Sequence, residues 1–186
     1  MAARIDETPD NTAILNLSSL LRHDQVTDGE IEGSGSFVPI SDWHSDEVSF
    51  KAPLEYELTV RNAGGDDDFI LTGEVSGTAI MPCRRCLEPV EVPSTSEFVF
   101  PLEYRPGAEG LQITPVEEDD ELLIFGQPEV DFAQMMTEIF GADLPLTVAC
   151  PDDTKCIPLA ERYAEREKAR TSPFSELENF DVNSKE

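Results

Sequence analysis

The sequence predicts an α+β protein: an antiparallel β-meander sheet with a cysteine-bearing hairpin, one amphipathic helix packed on it and a C-terminal helix. Leu54, Tyr56, Leu58 and Val60 alternate with polar residues, and so do Phe98, Phe100, Leu102 and Tyr104, the period of two that a half-buried strand requires. Between these runs stands Met81-Pro82-Cys83-Arg84-Arg85-Cys86-Leu87-Glu88-Pro89-Val90. Each proline lacks an N–H donor and opposes a continuous helix or central strand, so the stretch reads as a turn at the end of a hairpin. Phe132, Met135, Met136, Ile139 and Phe140 recur at helical spacing on one face.

Residues 1–13 are polar and predict a flexible tail. The apolar run Ile14–Leu21 is too short to separate strand from helical turn by periodicity. Gly29, Gly33 and Gly35 among acids and serines point to a loop or a ragged edge strand over 24–36. Phe37–Ile40 and Val48–Phe50 read as short strands. The strand at Leu54–Val60 ends in the turn Asn62–Asp66, and the next runs from about Phe69 to Ile80, with Gly73 and Gly77 marking bulging or close approach. Beyond the cysteines, Val90 and Val92 lead into the second alternating strand.

Residues 106–121 read as a long loop, because five successive acids (Glu117–Glu121) repel one another. Leu122–Phe125 is a short buried strand, ended by Gly126-Gln127-Pro128. The helix is predicted over Val130–Phe140, with Asp131 as its cap, Gln134 reaching back in a capping box and Gly141 at its C-terminal end. A second helix starts with Pro158 at its first position and runs to about Arg170, with a thin apolar stripe. Ser172-Pro173 gives a further helix-start signal before Phe174 and Leu177. The expected layout is a tail over 1–13, a single domain over 14–157, and a C-terminal helix with an acidic tail over 158–186.

The 186 residues carry 39 Asp and Glu against 13 Lys and Arg, a formal charge of −26. Such a surface repels nucleic acid and attracts basic proteins; it is equally what a salt-rich cytoplasm would select. The N-terminus shows no basic region followed by an apolar core, and no apolar run approaches membrane-spanning length. The expectation is therefore a cytoplasmic protein without a membrane partner. In that reducing setting four cysteines are thiols, metal ligands or redox groups rather than disulfides.

The chemistry open to this chain narrows on those cysteines. His23 and His44, the latter beside Trp43, have no neighbours that suggest metal or nucleophilic work, and there is no glycine-rich phosphate loop. Paired carboxylates carry no information in so acidic a chain. Cys83 and Cys86 have the C-x2-C spacing of half a tetrahedral zinc site, and Cys150 and Cys156 would supply the other half across a wider C-x5-C loop stiffened by Pro151. The competing readings are four reduced thiols, or a redox pair at Cys83 and Cys86. Redox C-x-x-C pairs sit at a helix N-terminus, whereas Leu87–Val92 reads as extended chain.

Thr78-Ala79-Ile80-Met81-Pro82-Cys83-Arg84-Arg85-Cys86-Leu87-Glu88-Pro89-Val90 resembles the C-x-R-C-L-x-P signature of the YceD-type proteins. Ile14–Leu21, the Leu-Pro-Leu run entering Cys150, and Ser172-Pro173-Phe174 with Leu177 are similar to other segments of that family. Many members have a richer second cluster with a further Cys-Pro-x-x-Cys-Gly, where this chain has Ile157-Pro158-Leu159-Ala160. The resemblance implies a non-catalytic factor in ribosome biogenesis that supports accumulation of the 23S ribosomal RNA of the large subunit. It implies no catalytic residues and no small-molecule substrate.

Arg84 and Arg85, on a turn within an acidic field, are the candidate contacts for ribosomal RNA or another partner. With Lys155, Arg162, Arg166, Lys168 and Arg170 they could form a basic patch. A basic ribosomal protein of the large-subunit precursor is an equally suited ligand for the acidic remainder. The alternatives are a structural zinc adaptor unrelated to ribosomes and a thiol–disulfide protein using Cys83 and Cys86.

Overall fold

The alternating segments form strands and the helical face forms a helix, in a computed structural model that describes residues 11–22, 29–39, 48–51, 53–64, 67–115, 121–152, 156–161 and 164. Contacts gather the chain into two units: Met1–Met81 with Glu91–Pro145, and Pro82–Val90 with Leu146–Glu186. Among the described residues no helix is long and apolar enough to cross a membrane.

The first unit is built on a sheet. Its strands are β2 (Glu30–Phe37), β3 (Ser49–Phe50), β4 (Leu54–Asn62), β5 (Asp68–Pro82), β6 (Pro89–Tyr104), β7 (Leu111–Pro115) and β8 (Glu121–Phe125), in the order β2-β4-β5-β6-β8-β7, with β3 paired to β5. Separately, β1 (Ile14–Asn16) pairs with β9 (Glu129–Asp131). The β2–β4 and β4–β5 pairs are antiparallel, with Leu58 opposite Gly33 on one side and Gly73 on the other. The sheet is mixed rather than a pure antiparallel meander, because Leu102–Tyr104 of β6 pairs in parallel with Leu123–Phe125 of β8. The segment read as a loop over 106–121 contains β7, which pairs antiparallel with β8. Its alternation was hidden by glycines and acids on either side.

Alternation sets which side chains are buried. Leu54, Leu58 and Val60 of β4, Phe69, Leu71 and Val75 of β5, and Phe98 and Leu102 of β6 lie in one apolar core. The same core takes Phe132, Met135, Met136 and Phe140 from the helix region. Gly73 is required by close approach: a Cβ there would stand 2.6 Å from both Leu58 Cδ2 and Phe98 Cζ. Gly126 is tighter still, since a Cβ would meet the main chain of Ala108 at 2.3 Å.

Helix α1 spans Ala133–Ala142, three residues later at its start than the sequence predicts, because Glu129–Asp131 pairs as β9 with β1. Asp131 is not the cap residue, a position that Phe132 holds without a side-chain cap bond. Asp131 Oδ1 nevertheless accepts the Ala133 N–H at 3.0 Å and the Ala13 N–H at 2.9 Å, joining helix start to β1. Gln134 donates to Glu138 Oε1 instead of closing a capping box, and Gly141 is buried inside the helix, whose end falls at Asp143. Thr137, also buried, donates to the Ala133 carbonyl one turn back.

Of the predicted C-terminal helix, Leu159, Ala160, Glu161 and Ala164 are helical, and Pro158 stands just before them rather than at the first helical position. The rest of it, the segment Ser172–Phe180, the N-terminal residues 1–10, His23, Trp43 and His44 lie outside the described residues.

Candidate metal centre

The second unit begins where β5 ends, and its first loop folds for local reasons. Pro82 and Pro89 bracket a tight turn in which the Cys83 N–H donates to the Glu88 carbonyl at 2.8 Å and the Leu87 N–H to the Cys83 carbonyl at 2.9 Å. Leu87 sits in the left-handed region, with φ +59°, and its side chain is exposed. A non-glycine residue there carries backbone strain that the closed turn must hold. Arg85 donates its N–H to the Cys83 sulfur at 3.5 Å, so the turn wraps a donor onto the first thiol.

The second cysteine pair is brought in by main-chain pairing. Val148 bridges Cys83 in parallel, and its carbonyl accepts the Arg84 N–H at 2.9 Å. The chain beyond Cys156 is fixed in turn, because the Leu159 N–H donates to the Arg85 carbonyl at 2.9 Å. Val148 and Leu159 are therefore part of the site, although neither carries a chemical signal in the sequence. Their role is visible only as neighbours of cysteines.

The result is a cluster of four sulfurs, all within 4.8 Å of one another. Cys83 and Cys156 are 3.8 Å apart, and Cys86 and Cys150 are 3.4 Å apart. Four thiolates around one zinc, with Zn–S of about 2.3 Å, would place neighbouring sulfurs about 3.8 Å from each other. The separations fit that tetrahedron, and all four cysteines are free thiols rather than disulfides. Cys83, Cys86 and Cys156 are buried and Cys150 is half-buried, packed with Val90 into a core of their own. Among the described residues of this unit the buried cluster holds cysteines and a valine and little other apolar area, the situation that a structural metal resolves.

The electrostatics fit the same reading. The Arg85 N–H, ahead of other donors, pulls the Cys83 thiol down to about 5. The hydrogen bond with the Cys86 sulfur is the main reason that the Cys150 thiol is pushed up to about 12. Burial pushes the Cys156 thiol up, against the charge of Arg85. The sulfurs lie close enough together for a dication to replace their protons.

The two arginines of the turn differ. Arg84 is exposed; Arg85 is half-buried and its Nε is buried. Lys155, Arg162, Arg166, Lys168 and Arg170, the remainder of the predicted basic patch, lie outside the described residues. In the first unit Lys51 pairs with Glu91 at 2.6 Å, and Arg105 makes two bonds to Glu103, at 2.6 and 2.8 Å. An open groove of about 460 Å³ in that unit is lined by Gly110, Leu111, Ile113, Asp131, Gln134, Met135 and Glu138. Among the described residues its lining has no cysteine, serine or histidine, and the Asp131 carboxylate in it already accepts two main-chain N–H groups.

A protein-family model matches residues 71–181; its description is Large ribosomal RNA subunit accumulation protein YceD. No curated protein and no solved structure matches the chain.

Proposed function

The chain belongs to the YceD family, whose model spans more than half of it, and from that membership we propose that it is a non-catalytic factor supporting accumulation of the large-subunit ribosomal RNA. The convergence of Cys83, Cys86, Cys150 and Cys156 within 4.8 Å is the observation that carries the mechanism. In this reading the four thiolates hold one zinc ion, which supplies cross-linking rather than Lewis-acid chemistry. All four positions of the tetrahedron are filled by protein, the arrangement of a structural site.

The family's richer second cluster is not needed for this. Cys150 and Cys156 suffice because Val148 and Leu159 fix the main chain before and after them. A redox reading of Cys83 and Cys86 is disfavoured by their setting, since residues 84–86 form a turn and no helix starts at them.

The exposed Arg84 is the contact for RNA phosphate, a cation displayed within a chain of net charge −26. A second reading, in which a basic ribosomal protein is the ligand, is favoured by one observation in the first unit. Glu57 stands directly opposite Glu74 across β4 and β5, a like-charged pair that costs stability unless a cation relieves it.

Cross-linking of the tagged full chain in cells, with both RNA and protein identified, tests the proposal. Large-subunit ribosomal RNA or its precursor is expected among the cross-links. Recovery of large-subunit proteins without RNA would favour the second reading, and recovery of neither would contradict the function.

A further inference from the structure

Four thiolates around a dication carry a net charge of −2, and three of these cysteines are buried. The chain as a whole is strongly acidic, with a formal charge of −26. Buried excess charge is costly unless it is paired or hydrogen-bonded. The described part of the second unit offers two cations, Arg84 and Arg85, adjacent in sequence.

The turn sends them to different places. Arg84 gives its N–H to the Val148 carbonyl and leaves its side chain exposed. Arg85 gives its N–H to the Cys83 sulfur and accepts the Leu159 N–H, which ties the chain following Cys156 to the chain preceding Cys86. Its side-chain Nε is buried, on a residue that stands between Cys83 and Cys86 in the turn. One residue therefore touches the Cys83 sulfur through its N–H, anchors the segment after Cys156 through its carbonyl and keeps its guanidinium Nε out of solvent.

We infer that Arg85 is a positioning residue of the metal centre, whose guanidinium offsets the excess negative charge of the four thiolates, while Arg84 alone serves the partner. This rests on the four-cysteine reading proposed above. It divides between two roles a pair of arginines that the sequence presents as one motif. An arginine suits the inner role because it keeps its proton in any surroundings and its fork can serve more than one acceptor.

The test is zinc competition on the full-length chain. Wild-type, Arg85→Met, Arg85→Lys and Arg84→Ala proteins are loaded with zinc and titrated with a chromogenic chelator. Arg85→Met keeps bulk and removes charge; it is expected to lower zinc affinity about 10–100-fold, the usual effect of losing an outer-layer partner. Arg85→Lys is expected to recover most of that loss, which a packing role would not predict. Arg84→Ala is expected to retain wild-type zinc affinity and to lose RNA cross-linking. Wild-type affinity in Arg85→Met, or equal losses in Arg84→Ala and Arg85→Met, would overturn the division. A wild-type chain that takes up no zinc would overturn the metal centre and the inference together. Zinc uptake with an unaffected Arg85→Met variant would overturn the inference alone.

Discussion

The Cys86 and Cys150 sulfurs lie 3.4 Å apart, although 64 residues of chain separate them. A second pair, Cys83 and Cys156, lies at 3.8 Å, and all four sulfurs are within 4.8 Å of one another. The arrangement joins a tight turn to a remote segment, in a cluster whose described members are the four cysteines and Val90.

Metal removal is expected to loosen the second unit selectively, because binding energy there is folding energy. Hydrogen exchange on the chain with and without a chelator reads this directly. The amides of Arg84 and Leu159, bonded to Val148 and Arg85, should lose protection, while that of Met136, bonded to Phe132 in the helix, should keep it. Unchanged protection at Arg84 and Leu159 would mean that the thiols hold the unit unaided.

Replacing a proposed ligand should cost more than replacing its support. Cys150→Ser is expected to weaken zinc binding beyond the roughly 100-fold upper range typical of outer-layer changes. Chelator competition measures it. Native affinity in Cys150→Ser would remove that residue from the site.

Asp131 should matter to stability rather than to metal. Its Oδ1 accepts from Ala13 and Ala133, so Asp131→Ala leaves two amides without their partner. Loss of hydrogen bonds to a charged group costs about 1.5–3 kcal/mol, read from urea unfolding. Asp131→Asn, which retains a carbonyl oxygen, should recover part of it. An Asp131→Ala chain as stable as wild type would contradict the bonding described.

The core of the first unit should respond in both directions. Phe132 is fully buried, and Phe132→Ala is expected to cost about 3–5 kcal/mol. Gly73→Ala adds a methyl where Leu58 and Phe98 already approach, with an expected cost of about 1–3 kcal/mol. A Gly73→Ala variant with unchanged unfolding would show that those side chains move aside freely.

Much of this fold is legible because burial imposes a period. Leu54, Leu58 and Val60 alternate since β4 has one covered face, and Phe132, Met136 and Phe140 recur because α1 does. The parallel pairing of β6 with β8 was not legible, since Leu122–Phe125 shows only that a strand is buried, not which neighbour it takes. Strand β9 was absorbed into the predicted helix because Val130 fits either period and its pairing with Leu15 is remote in sequence. At the site, C-x2-C exposed half of the cluster. Residue type alone marks Cys150 and Cys156 as the other half; what the sequence does not show is that main-chain bonding by Val148 and Leu159 brings them in. Nothing in Arg84-Arg85 tells which arginine turns inward; the turn geometry decides it.

The central claim is that Cys83, Cys86, Cys150 and Cys156 hold one zinc ion. The most direct measurement is native mass spectrometry of the full chain purified without chelator, with elemental analysis of the same sample. One zinc per chain is expected, falling to none when Cys86 and Cys150 are both changed to serine. A wild-type chain that carries no metal, and takes up none when zinc is supplied under reducing conditions, would contradict the account.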